Sequence, residues 1–237
     1  MSDLSALRRV GHKGADHIAP GNTAASFDAA LAAGVDMIEF DVLPEDIRQP
    51  AESRLVLAHD YSHDLADALT LEQGLAHLAS SPFTDVELDV DLKLPGYEER
   101  VVRALREHGL IERALISTTF MRSLVVVREL EPRLRLGWSV PRARKDYTRS
   151  WVYRVPAYLA IGRIKRRLPD AAREHLGAGR CDALMVHWRL VTGRLVEAVA
   201  ESGGELYVWT VDDAARIRRL EALGVTGVIT NDPRLFT

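Results

Sequence analysis

Short apolar runs alternate with longer amphipathic stretches along this chain. Arg9-Val10-Gly11-His12 reads as a strand end. Asn22 or Thr23 can cap a helix over 24–33 that stops at Gly34. Met37 to Val42, Val86 to Lys93, Ala114 to Ser117, Leu134 to Ser139, Ala183 to Val186, Leu206 to Trp209 and Gly227 to Thr230 are apolar, β-branched runs that predict strands. Between them, 3.6-residue periodicity predicts helices over 97–108, 120–130, 192–202 and from Asp212 or Asp213 to Leu223. Eight strands, with a helix after nearly every one, argue for parallel βαβ units. In 237 residues that is close to a (β/α)8 TIM barrel, with a doubly wound sheet as the other architecture.

Two stretches break the alternation. Leu55-Val56-Leu57-Ala58-His59 follows the second strand too closely for a helix between them, so a short hairpin-like insertion is expected there. A second, basic insertion follows the fifth barrel strand. The expectation is a single barrel domain over 1–237 with insertions at about 44–85 and 142–180.

Composition narrows the class. Hydrophobic residues are 47% and charged residues 27%, which is ordinary globular usage. Cys181 is the only cysteine, which excludes a disulfide framework and a cysteine-built zinc site. No apolar run approaches the length of a membrane-spanning helix. Residues 1–9 lack the apolar stretch of a secretory signal, so a cytoplasmic location is expected. The net charge of −3 conceals an asymmetry. Residues 142–180 hold eleven basic and three acidic residues, a net +8 against −11 elsewhere. Over 147–168, Trp151, Val152, Val155, Tyr158, Leu159, Ile161 and Ile164 are interspersed with Arg149, Arg154, Arg163, Lys165, Arg166 and Arg167. That mixture suits either peripheral contact with an anionic membrane or a lid packed on the barrel. Pro156 and Gly162 are expected to break any single long helix. The acidic remainder and the absence of a recognition motif argue against nucleic acid.

The unusual polar residues collect at strand ends. His12 ends the first strand, Glu39 and Asp41 the second, Asp89, Asp91 and Lys93 the third, and Trp209 the seventh. In a barrel these ends share one rim, where active sites sit. Alternate strand residues share a face, so the acids converge. Carboxylates so close cannot all ionise without a cation, and a hard divalent ion such as Mg²⁺ or Ca²⁺ meets the need. Singly, each feature has a plainer reading: solvated strand acids, a satisfied histidine at 12 or 59, a helix cap at Asn22-Thr23, rim packing at Trp209. No phosphate loop, dinucleotide fingerprint or nucleophile elbow is present.

Taken together, the chain resembles the glycerophosphodiester phosphodiesterase family. That family's His-Arg-Gly, Pro-Glu-Asn-Thr, Glu-x-Asp, His-Asp, Glu-x-Lys, Trp-Thr-Val and Thr-Asp-x-Pro motifs read here as His12-Lys13-Gly14, Pro20-Gly21-Asn22-Thr23, Glu39-Phe40-Asp41, His59-Asp60, Asp91-Leu92-Lys93, Trp209-Thr210-Val211 and Thr230-Asn231-Asp232-Pro233. The resemblance implies His12 and His59 as the acid–base pair. It implies Glu39, Asp41 and Asp91 as ligands of one Mg²⁺ or Ca²⁺ ion, and Lys13, Lys93 and Trp209 on the substrate side. The implied reaction is hydrolysis of a glycerophosphodiester to an alcohol and glycerol 3-phosphate. A lysophospholipase D reaction on a lysophospholipid, and a binding barrel of weakened activity, are the alternatives. Three departures stand out: Lys13 for arginine, Asp91 for glutamate, and Gly21 for glutamate, which removes a carboxylate from near the site.

Overall fold

The computed structural model describes residues 6–62, 64–141 and 154–236, without the side chains of 154–159. Nine strands form one sheet. Eight are parallel: β1 (Arg8–Gly11), β2 (Met37–Pro44), β4 (Glu87–Leu92), β5 (Ala114–Thr118), β6 (Arg135–Val140), β7 (Ala183–His187), β8 (Glu205–Trp209) and β9 (Gly227–Thr230). β1 pairs with both β2 and β9, which closes a barrel and removes the doubly wound alternative. The seven crossovers carry α1 (Ala24–Ala32), α2 (Leu71–Leu78), α3 (Glu98–Glu107), α4 (Met121–Leu130), α5 (Arg154–Gly177), α6 (Gly193–Glu201) and α7 (Ala214–Leu223). Among the described residues, no helix is long and apolar enough to cross a membrane.

Barrel strands are covered on both sides, so alternation here separates two buried environments rather than core from water. All eight residues of β2 are buried. Ile38, Phe40 and Val42 face the helices and join the main core with Leu88 and Val90. Val10, Met37, Leu115, Ala183, Met185, Tyr207 and Ile229 face inward and form the barrel's own apolar layer. Inward positions above that layer, at the carboxyl ends of the strands, are polar.

The stretch after β2 is part hairpin and part regular crossover. β3 (Leu55–Leu57) runs antiparallel to β2, with Val42 opposite Leu57 and Pro44 opposite Leu55. It is held by a small cluster of Leu43, Val56 and Leu65. The chain then supplies α2, which the sequence reading left inside the insertion. Thr70 and Gln73 form a reciprocal capping box that starts it.

The basic segment also differs from expectation. Residues 142–153, including Arg149, Trp151 and Val152, lie outside the described residues. From Arg154 the chain is one helix through Gly177, so Pro156 and Gly162 do not divide it. Pro156 falls in the first turn, where a missing N–H costs no intrahelical bond. Leu168, Ala172 and Leu176 are buried in the main core, and Ile161 and Ile164 pack against it. This part of the segment is therefore the barrel's own crossover helix, with Arg163, Arg166 and Arg167 on its exposed side.

Candidate active site

Glu39 and Asp41 point into the barrel because Met37, two residues earlier, does. β4 lies beside β2 in a register that sets Glu39 against Asp89 and Asp41 against Asp91. Oxygens of Glu39, Asp41 and Asp91 consequently lie within 4.8 Å of one another. Lys93 Nζ stands 2.5 Å from Asp41 Oδ1 and 2.6 Å from Asp91 Oδ2. Glu39, Asp41 and Asp89 are each at most 5% exposed.

So many acids in one dry place cannot all be charged. Burial, reinforced by neighbouring carboxylates, raises the Glu39 and Asp91 pKa values against the pull of Lys93. Asp89 is pushed up to about 8 by burial, with a Ser117 hydrogen bond opposing. Burial acts the same way on Asp41, but Lys93 and the two histidines outweigh it and hold that acid below its ordinary value. Lys93, desolvated yet surrounded by Asp41, Asp91 and Glu39, is held well above its own. Asp89 Oδ1 has no hydrogen-bond partner among the described residues. Three hard oxygens converging beside surplus negative charge fit a small divalent cation of the Mg²⁺ or Ca²⁺ type.

The loop after β1 forms the next wall. Lys13 and Asn22 both adopt left-handed backbone, with φ of 51° and 60°. Such conformations persist when the surroundings impose them. The Lys13 N–H donates to Glu39 Oε2 (2.8 Å), and its carbonyl accepts from Asn22 N (3.0 Å) and Ser26 Oγ (2.7 Å). Asn22 donates through Nδ2 to Asp41 Oδ2 and accepts the Asp41 N–H, at 2.9 and 3.0 Å. Of the two cap candidates, Thr23 is the cap of α1 and Asn22 is the clamp on Asp41.

His12 sits above Glu39, with Nε2 3.8 Å from Oε2. Its Nδ1 lies 2.5 Å from Asn231 Oδ1. Asn231 Nδ2 donates to Asp212, and a carboxylate only accepts, so the amide oxygen faces His12 and Nδ1 carries the proton. Burial lowers the His12 pKa to about 4, against the attraction of Asp41 and the Asn231 hydrogen bond. His59 follows β3 with its side chain half exposed, 3.3 Å from Asp60, and its charge bears on Asp41 and Asp91.

Trp209 packs on top of the inner apolar layer, its ring 5.1 Å from that of His187 in an edge-to-face contact. His187 ends β7 at an inward position. The sequence reading missed it, although a histidine ending an apolar run was the available signal. Asn231, which orients His12, lies in the Thr230-Asn231-Asp232-Pro233 motif, but neither it nor Asp212 had an assigned partner before β1 and β9 were seen to be neighbours. Gly21 itself lies against Asp16, which accepts the Gly21 N–H at 2.9 Å and pairs with Lys13 at 3.1 Å.

The sequence and the fold have counterparts. The model of the Glycerophosphoryl diester phosphodiesterase family matches residues 12–79 and 47–235. A glycerophosphodiester phosphodiesterase of Caldanaerobacter subterraneus is 25% identical over 94% of this chain and 93% of its own length. The crystal structure of a glycerophosphodiester phosphodiesterase from Agrobacterium tumefaciens aligns over 97% of this chain and 98% of its own, with TM-score 0.70 and 19% identity. An Oleispira antarctica phosphodiesterase, solved with the product sn-glycerol-3-phosphate, aligns over 96% and 94% with TM-score 0.70 and 21% identity. With the family pattern matched along nearly the whole barrel, this chain belongs to the glycerophosphoryl diester phosphodiesterase family.

Proposed function

We propose that the protein hydrolyses a glycerophosphodiester to an alcohol and glycerol 3-phosphate, using one divalent ion held by Glu39, Asp41 and Asp91. The observation that carries this reading is the convergence of those three carboxylates under His12 and beside Lys93. When bound, the ion supplies Lewis-acid polarisation of a phosphoryl oxygen. Lys93 meets a second phosphate oxygen and offsets charge that grows toward the transition state. Lys13 lends a further positive charge, and Trp209 walls the side of the substrate. His12 is neutral near pH 7, and its Nε2 accepts the proton of the attacking oxygen because Nδ1 is committed to Asn231. That oxygen belongs either to water or to the glycerol's own hydroxyl, whose cyclic phosphate a water then opens to glycerol 3-phosphate. His59, beside Asp60 at the open side, protonates the departing alkoxide. The direct test follows diester hydrolysis by phosphorus NMR in metal-stripped protein, before and after adding Mg²⁺ or Ca²⁺. Release of glycerol 3-phosphate only after addition is expected; full activity in stripped protein excludes the metal site.

One observation favours a lysophospholipid, and peripheral membrane contact, as a second reading. Ile18, Ile47 and Tyr61 are 40%, 55% and 41% exposed on segments that follow β1 and β2 at the catalytic end. Such a rim offers apolar contact to an acyl chain, and the basic face of α5 adds attraction to anionic lipid. Replacing Arg163, Lys165, Arg166 and Arg167 with serine should then weaken binding to phosphatidylglycerol vesicles and slow lysophospholipid turnover more than glycerophosphocholine turnover. Equal slowing assigns the enzyme to soluble diesters.

A further inference from the structure

Lys13 is held with unusual care for a lysine, its side chain only 19% exposed. Its backbone is locked in the left-handed region by Glu39, Asn22 and Ser26, and its ammonium is gripped by Asp16 Oδ2 at 3.1 Å. Asp16 is itself anchored, because Oδ1 takes the Gly21 N–H at 2.9 Å. The two carboxylate oxygens thus tie the lysine to the opposite side of its own loop. Position 21 is what leaves room. A Cβ there would stand 2.5 Å from Asp16 Oδ1, 2.8 Å from Lys13 Cβ and 3.0 Å from Asp16 Cγ. The 2.5 Å approach to Asp16 Oδ1, on the oxygen that takes the Gly21 N–H, would push the carboxylate out of the pair.

We propose that Asp16 is a positioning residue that aims the Lys13 ammonium at the substrate phosphate, and that Gly21 is the gap which lets the Asp16 carboxylate reach it. This rests on the reading of Lys13 as a phosphate contact. An ammonium has three N–H donors, so one bond to Asp16 leaves two for phosphate oxygens. Fixing the long lysine arm beforehand removes rotamer entropy that binding would otherwise cost.

The test is a double-mutant cycle read by calorimetric titration with glycerol 3-phosphate, alongside kcat and KM for glycerophosphocholine. Asp16→Asn keeps an acceptor for the Gly21 N–H but removes the charge that holds Lys13. It should weaken binding by about three- to tenfold and raise KM more than it lowers kcat, with unchanged thermal stability. In a Lys13→Met background the same change should have no further effect. Gly21→Ala should weaken binding as Asp16→Asn does. Wild-type affinity in Asp16→Asn, tighter binding, or independent effects of Asp16→Asn and Lys13→Met overturns the proposal. Coupled effects on binding in a protein that hydrolyses no diester would leave this proposal standing and remove the phosphodiesterase reading. Normal turnover with a silent Asp16→Asn would do the reverse. A wild-type protein that binds no glycerol 3-phosphate removes both.

Discussion

The two ends of the barrel interior carry charge in opposite ways. At the amino end, Arg8 and Arg135 face Glu87 and Glu205. Arg135 lies 2.7 Å from Glu87 and 3.4 Å from Glu205, while Arg8 pairs with Glu87 and reaches Glu205 at 3.9 Å. Tyr207 completes the network, accepting from Arg8 at 3.1 Å and donating to Glu205 at 3.3 Å. Two cations meet two anions, and the end is closed by a self-neutral plug. At the carboxyl end, four carboxylates, Glu39, Asp41, Asp89 and Asp91, crowd around Lys93. The strands and their alternation are the same; only the balance differs. An unmatched buried charge lowers stability, so it marks the end where a ligand completes the balance.

The contrast can be broken most severely at the histidines. His12→Ala and His59→Ala should each lower kcat by roughly 10²–10⁴-fold, measured with the fold confirmed by circular dichroism. His77→Ala and His108→Ala, whose partners are Asp28 at 2.8 Å and Glu72 at 3.7 Å on neighbouring helices, should leave kcat near wild type. Equal losses at all four positions would indicate damage to folding.

The next effect separates stability from activity. Glu87→Gln leaves two arginines to share one carboxylate and should cost about 1–3 kcal/mol in urea unfolding, since the pair is only partly desolvated. Its kcat should be unchanged. Glu39→Gln should do the opposite, lowering kcat at least about 100-fold with stability equal to or above wild type. Destabilisation by both changes, with activity lost in both, would erase the distinction between the ends.

The last effect is a slope. The Asp89 pKa is about 8 in the folded chain against an ordinary 3.8. Between these values the folded state keeps a proton that the unfolded state releases, so the contribution of Asp89 is present below about pH 4 and is lost as pH rises toward 8. Asp89→Asn should therefore stabilise the metal-free protein progressively across that window, by on the order of 1 kcal/mol per pH unit. A stability difference independent of pH would show that Asp89 ionises normally.

Much of the fold was legible because its determinants are local. Strand runs, the Thr23 cap and the Asp213 start of α7 needed only neighbouring residues. α2 is legible too, since Thr70 and Gln73 spell its capping box, but its eight residues sit beside an irregular hairpin and merge with the expected insertion. Pro156 and Gly162 misled in the other direction: tertiary packing of Leu168, Ala172 and Leu176 holds the helix that propensity would interrupt.

The sequence by itself determined which residue types stand at strand ends, and period-two alternation put Glu39 with Asp41 and Asp89 with Asp91. Strand geometry makes that a property of the chain alone. Only the tertiary structure decided which strands are neighbours. The β2–β4 register brought Asp41 to Asp91, and closure of β1 onto β9 brought Asn231 to His12. The loop fold delivered Asp16 to Lys13 and Gly21. These contacts join side chains from separate elements or across a folded loop. Pairing and steric exclusion set them, and a one-residue change of register would turn every inward acid toward the helices.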